Sequence, residues 1–230
     1  MSVTHHPSPE LLAGFAAGTL DAGEHLAVAV HASGCSTCRR LLRAVEGIGG
    51  SALEAVEPVA MQAGAFEAVM AKLDRSPPRH QAPAGSLTDD ELPEVLKHYR
   101  IGRHRWVAPG VSMRPIELPG PSRSRAFLLR SNPGTHMLEH THTGSELTCV
   151  LRGSFSHEGG RFGPGDFDFG DETLDHQPTV GDGEPCLCLV AMTGDLRING
   201  FFGRRSALLC VSEPGNAAHG CDKRSGYLAR

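Results

Sequence analysis

The chain has 230 residues, of which 40% are hydrophobic and 21% charged, enough for one large or two small domains with a sizeable core. Its net charge of −4 comes without an extended basic run, which argues against direct contact with nucleic-acid phosphates. No segment approaches the roughly 18 apolar residues of a membrane span, and MSVTHHPSPE lacks the basic and apolar regions of a secretory signal, so a soluble cytoplasmic protein is expected.

The first 75 residues are rich in Ala and Leu and predict short helices. Ser8 caps a helix that begins at Pro9, carries Leu11, Leu12, Phe15 and Ala16 on one face and ends at Gly18. Asp21 and Glu24 have capping-box spacing and open a second helix that runs to about His31. A third starts near Ser36, passes Leu41, Leu42 and Val45, and stops at the glycines of positions 47–50. A fourth, from near Ala63 to Arg75, aligns Phe66, Val69, Met70 and Leu73 in one apolar stripe. That stripe is either ordinary core or a docking face for a partner's groove.

Residues 76–88, SPPRHQAPAGSLT, combine three prolines with Gly, Ser and Thr and read as an extended linker. Such a linker lets the segments on either side act as separate bodies. Beyond it, apolar runs at Arg125 to Leu129, Glu146 to Leu151, Cys186 to Met192 and Leu196 to Phe202 alternate with PGP, NPG, GPG and GDG turns. Residues 89–205 therefore predict an all-β sandwich or barrel. Residues 206–230 show little periodicity and receive no assignment.

Thirteen histidines are the compositional anomaly, and seven cysteines in a reducing compartment are thiols or metal ligands. His31, Cys35 and Cys38 place one imidazole and two thiols around the junction of the second and third helices. A closed tetrahedral zinc site needs a fourth ligand, and either His5 or His6 can fold back to supply it. Buried thiols beside a helix-end histidine, or a redox CxxC pair, are the competing readings; the βαβ context of the latter is missing. A small helical unit has little apolar area to bury, so zinc would contribute much of its folding free energy.

The HxxxCxxC pattern His31, Cys35 and Cys38, preceded by His6, resembles the zinc-binding anti-sigma domain that inhibits extracytoplasmic-function sigma factors. A second pattern lies in the β half: Gly134, five residues, His140-x-His142, three residues, Glu146, six residues, Gly153. It resembles the first motif of the cupin superfamily, and Pro164-Gly165-Asp166 followed by His176 resembles the second. His140 and His142 share one face of a strand, and Glu146 follows after a turn. His136, Glu139 and His157 are read as solvated strand or turn residues, and Cys149, Cys186 and Cys188 as packing. The donor set suits Zn, Mn, Fe or Ni.

Taken together, residues 1–202 resemble the ChrR-like zinc anti-sigma factors. The resemblance implies a helical domain that sequesters a group IV sigma factor and a cupin β-barrel or jelly roll needed for the response to singlet oxygen. It implies zinc at His6, His31, Cys35 and Cys38, and zinc or another divalent metal at His140, His142, Glu146 and His176. Phe66, Val69, Met70 and Leu73 would face the sigma factor, and no catalytic residue is implied. A cupin metalloenzyme, either oxygenase or isomerase, is the alternative.

Overall fold

The computed structural model describes residues 3–73 and 92–198. The linker expected at 76–88, the unassigned tail and the end of the run predicted to reach Phe202 lie outside the described residues. Four helices come first: α1 (Pro9–Ala17), α2 (Ala22–Gly34), α3 (Ser36–Glu54) and α4 (Ala65–Leu73). A 3-10 helix (Glu94–His98) precedes eleven strands. The expected class, N-terminal helices followed by a β-sheet domain, is the one observed.

Ser8 caps α1 by accepting the Leu11 N–H at 3.3 Å, and Gly18 closes it in the left-handed conformation. The α2 capping box is present, with the Asp21 N–H donating to Glu24 at 3.1 Å. Two boundaries differ from expectation. Helix α2 continues past His31 to Gly34 because the Arg39 guanidinium, from the next helix, donates to the carbonyls of Ala32 and Ser33 at 2.8 and 2.7 Å. Helix α3 does not stop at Gly47 but runs through all three glycines to Glu54. Glycine lowers helix propensity without blocking the hydrogen-bond ladder as proline does, and none of the three adopts a positive φ that would turn the chain.

Six strands form one antiparallel sheet in the order β1 (Arg105–Ala108), β2 (Val111–Ile116), β3 (Arg125–Ser131), β10 (Cys186–Met192), β5 (Glu146–Arg152), β8 (Phe167–Gly170). A three-stranded sheet joins β7 (Gly160–Phe162), β6 (Phe155–His157) and β9 (Thr179–Val180), and β4 (His140–His142) pairs with β11 (Leu196–Ile198). Alternation sorts the side chains of the large sheet. Ala126, Leu128, Leu147, Cys149, Leu189 and Ala191 face outward into a core shared with the helices. Phe127, Leu129, Val150, Cys186, Cys188 and Val190 face inward with Phe155 and Phe162. Both faces of β5 and β10 are buried, which is why those strands read as continuous apolar runs.

The shared core joins what the sequence reading treated as separable bodies. Leu26, Ala27 and Val28 of α2 are fully buried in it together with Leu147 and Leu189 of the sheet, each large side chain contributing about 1.5–3 kcal/mol by leaving water. Two polar contacts anchor the start of α2. The Gly23 N–H donates to Ser124 Oγ at 2.9 Å, and a Cβ at Gly23 would lie 2.4 Å from that oxygen. The Asp21 carboxylate accepts from both the Ser122 and Ser124 hydroxyls and from the N–H groups of Arg123 and Ser124 at 3.0 and 3.1 Å.

Burial raises the Asp21 carboxyl, but those four donors outweigh it and hold the group well below its usual range. A carboxylate depressed on folding stabilises the protein above its unfolded pKa, and that contribution is lost as pH falls toward the folded value. We expect urea-unfolding stability to decline below about pH 4, by up to about 1.4 kcal/mol per pH unit from this group. Asp21→Asn should cost about 2 kcal/mol at neutral pH and remove that part of the acid slope. An unchanged slope in Asp21→Asn would assign acid sensitivity elsewhere.

Candidate metal centres

The first group forms where α2 ends and α3 begins. Cys35 is at once the C-cap of α2 and the N-cap of α3, which sets Cys38 one turn into α3 beside it. His31 comes from the last turn of α2, and His6 from the extended segment ahead of α1. His6 Nδ1 lies 3.4 Å from Cys35 Sγ and 3.5 Å from Cys38 Sγ, and His31 Nε2 lies 3.3 Å from Cys38 Sγ. A tetrahedral ion with bonds of about 2.3 Å to sulfur and 2.0 Å to nitrogen requires N···S edges of roughly 3.5 Å. The four side chains therefore fit one ion. Of the two histidines that spacing left open, His6 joins the thiols, while the His5 ring packs on Phe162 with centroids 4.3 Å apart.

The electrostatics of these donors suit a cation. Burial drives His31 down to about 4, against the opposing pull of the Gly165 carbonyl, so its imidazole stays neutral with a lone pair to offer. Burial and the neighbouring Cys35 push Cys38 up to about 12, an unfavourable place for a lone thiolate. A coordinated dication reverses that preference, since a metal-bound thiol is deprotonated outright.

The second group sits inside the β domain. His140 and His142 share a face of β4, their ring centroids 5.1 Å apart. His176 is brought beside them by backbone pairing, because His140 and His176 exchange both N–H···O bonds at 3.1 Å, which aligns their side chains across the ladder. His176 Nε2 lies 3.0 Å from His140 Nε2 and 3.3 Å from His142 Nε2. Metal–nitrogen bonds of about 2.1 Å give N···N edges of roughly 3.0–3.4 Å in octahedral or tetrahedral geometry, so these three nitrogens also fit one ion. Glu146 opens β5 at the rim of the group; its Oε2 is 3.6 Å from Nδ1 of His142, and its Oε1 accepts from the Thr148 hydroxyl at 3.1 Å. Burial, followed by the charges of His140, His142 and His157, holds His176 down at about 3. Buried Nδ1 atoms of His142 and His176 have no hydrogen-bond partner.

Two residues here were missed or misread from sequence. His157, expected to be solvated, has a side chain only 3% exposed. It stacks on Phe162 and donates from Nε2 to Asp168 Oδ2 at 3.0 Å, its Nδ1 accepting the Gly159 N–H. His157, Asp168 and His176 form a second close donor set that shares His176 with the first. Alternation carries the signal: Phe155 faces inward, so His157 does too, and Asp168 pairs with inward-facing Thr148. His136 is exposed and bonds Thr179, as expected of a solvated strand residue.

The α4 stripe stays on the surface. Phe66 is 69% exposed, Leu73 72%, Val69 50% and Met70 45%, so none of the four belongs to either core. No helix among the described residues is long and apolar enough to cross a membrane.

Comparison with known proteins agrees with this arrangement. The ChrR cupin-like domain family matches residues 97–194. Anti-sigma-E factor ChrR of Cereibacter sphaeroides is 40% identical over 205 residues, covering 87% of this chain and 95% of the relative. The chain belongs to the ChrR family of anti-sigma factors. A crystal structure of Rhodobacter sphaeroides SigE in complex with the anti-sigma ChrR aligns with a TM-score of 0.69 and 36% identity, over 84% of this chain and all of that ChrR chain. The likeness to ChrR covers most of the chain.

The two donor groups predict two divalent ions per full-length chain by elemental analysis. Cys38→Ala should remove one and His140→Ala the other, each leaving its counterpart bound. A chain that purifies with one ion, lost in both variants, would overturn the assignment of two independent centres.

Proposed function

We propose that this chain is an anti-sigma factor that binds and inhibits a group IV, or extracytoplasmic-function, sigma factor in the cytoplasm. The helical domain does the sequestering, with zinc held by His6, His31, Cys35 and Cys38. The observation that carries this reading is the convergence of those four donors to tetrahedral spacing in a chain that matches ChrR over nearly all of its length. The paired thiolates favour zinc over harder cations. A zinc ion there supplies cohesion at the junction of α2 and α3 and takes no chemical role.

Sigma binding is assigned to the α4 stripe of Phe66, Val69, Met70 and Leu73. Four apolar side chains on one face, all outside the core, suit a helix-in-groove contact. Covering such side chains yields about 1.5–3 kcal/mol each when burial is complete, and a methionine adapts to an irregular groove. Ile48 and Leu53 of α3, and Val56, Val59 and Met61 in the segment before α4, are exposed as well.

The cupin centre, His140, His142 and His176 with Glu146 at its rim, is assigned to sensing singlet oxygen or a related oxidant. It holds zinc or another divalent metal, and it works in regulation rather than catalysis. Three imidazoles and one carboxylate suit several divalent ions, so the donor set does not single one out.

Replacing Val69 and Met70 together with Asp should abolish capture of the cognate sigma factor in pull-downs, since burying a charge in an apolar groove is costly, while zinc content stays at the wild-type level. Unchanged capture would move the docking surface elsewhere. In cells, His140→Ala should retain repression of a sigma-dependent reporter and lose induction by photosensitiser and light. Normal induction in that variant would end the sensing assignment and favour a cupin metalloenzyme.

A further inference from the structure

The N-terminal donor group is not built by the helices alone. Two of its four members are held from outside by one short turn of the β domain, residues 163–166, just before β8. The His31 Nδ1–H donates to the Gly165 carbonyl at 2.9 Å across 134 residues of chain. That bond fixes the tautomer, leaving Nε2 unprotonated and facing Cys38.

Asp166 holds the other side. Its Oδ1 accepts the Thr4 N–H at 2.7 Å, the His5 N–H at 2.9 Å and the Thr4 hydroxyl at 3.2 Å, while Oδ2 accepts the Gly163 N–H at 2.8 Å. The His5 carbonyl in turn accepts the Phe167 N–H at 3.1 Å. Residues 4 and 5 are thus laid along the start of β8, and the next residue is the ligand His6. The fit is close: Gly165 has φ +90°, and a Cβ there would lie 2.7 Å from Val3 Cγ2. Burial raises the Asp166 carboxyl, yet the N–H groups of Gly163, His5 and Thr4 and the Thr4 hydroxyl outweigh it and keep it below the usual range.

We propose that Asp166, together with the Gly165 carbonyl, is the positioning element of the N-terminal metal centre, acting through His6 and His31. His6 lies in an extended segment outside any helix or strand, and a ligand so placed closes a coordination shell only when something orders the residues before it. The helices supply no group that does this: the contacts made by Thr4 and the His5 backbone go to Asp166 and Phe167. The positioning turn also continues directly into β8, whose Asp168 bonds His157 at the second donor group. One stretch of chain therefore touches the outer shell of both centres.

The inference rests on the zinc reading of the four-donor group, and cobalt substitution separates the two. Cobalt(II) loaded into the full-length chain should show thiolate-to-metal charge transfer and tetrahedral d–d absorption from the Cys35, Cys38 centre. Absence of those bands in wild type would defeat the zinc reading itself. With the bands present, Thr4→Pro should weaken the d–d absorption and speed extraction of the thiolate-bound ion by a chelator about 10- to 100-fold. This variant removes the Thr4 N–H and hydroxyl contacts and leaves the turn's own Gly163 bond intact. Asp166→Ala should do at least as much; if it fails to fold, Thr4→Pro still decides. Because Thr4 and Asp166 hold the backbone ahead of His6, Thr4→Pro should add less than about twofold when His6 is already Ala. Wild-type spectra and extraction in Thr4→Pro, or an equal acceleration in the His6→Ala background, would overturn the positioning role.

Discussion

The central strands of the six-stranded sheet, β5 and β10, have water on neither face, and that constraint organises the rest of the molecule. The sheet's inner face must fill the β domain, and its outer face must be covered by something the β domain does not contain. Helix α2 is that cover: Leu26, Ala27 and Val28 close over Leu147, Cys149, Leu189 and Ala191. Once α2 is fixed there, its last turn lies over the start of β8, and His31 falls within reach of the Gly165 carbonyl. Seating the hydrophobic face and placing the metal ligand are one event. Apolar area lacking in the helical unit by itself is supplied by the sheet, so the ion need not provide all of its cohesion.

Local chemistry was legible wherever it sits within a few residues of sequence. Ser8 with Pro9, Asp21 with Glu24, and the strand from Cys186 to Met192 all form as their residues dictate. The His140-x-His142 pair is likewise read from a period of two. What could not be read depends on partners distant in sequence. Arg39 extends α2 by reaching back from another helix, and Asp166 selects the fold of residues 4 and 5 from 161 and 162 positions away. His157 alternates with inward-facing Phe155, but a three-residue strand is too short for that pattern to reveal the strand itself from sequence. Only the register of β6 against β7 and β9 does so. A proline-rich linker reports on the chain between two bodies, not on whether their faces match, and the shared core of α2 and the sheet is invisible to it.

The two donor groups differ in what burial does to them. Desolvation keeps the His142 and His176 imidazoles neutral, helped at His176 by the charges of the neighbouring histidines, and neutral imidazole is already the coordinating form. At Cys35 and Cys38, the same desolvation favours the protonated thiol, which is not. His142 and His176 therefore need lose no proton to coordinate a cation, whereas the cysteine group must release protons as it takes one up, making its affinity more steeply pH-dependent.

Helix α3 is two helices in energetic terms. Its first half is pinned by Cys38 and Leu42, both buried. Its second half crosses Gly47, Gly49 and Gly50 and is exposed among the described residues, and the Ser51 hydroxyl bond to the Gly47 carbonyl at 3.1 Å is an internal one. Each glycine costs about 1 kcal/mol relative to alanine in a helix, so these last turns open at little free-energy cost and their amides exchange early. A protein that covers this surface must order those turns as it binds. Part of the contact energy is spent on that ordering, which lowers affinity for the area buried. Helix propensity at positions 47, 49 and 50 thus acts as a dial on how long such a partner stays, through the cost of ordering the helix rather than through any contact of its own.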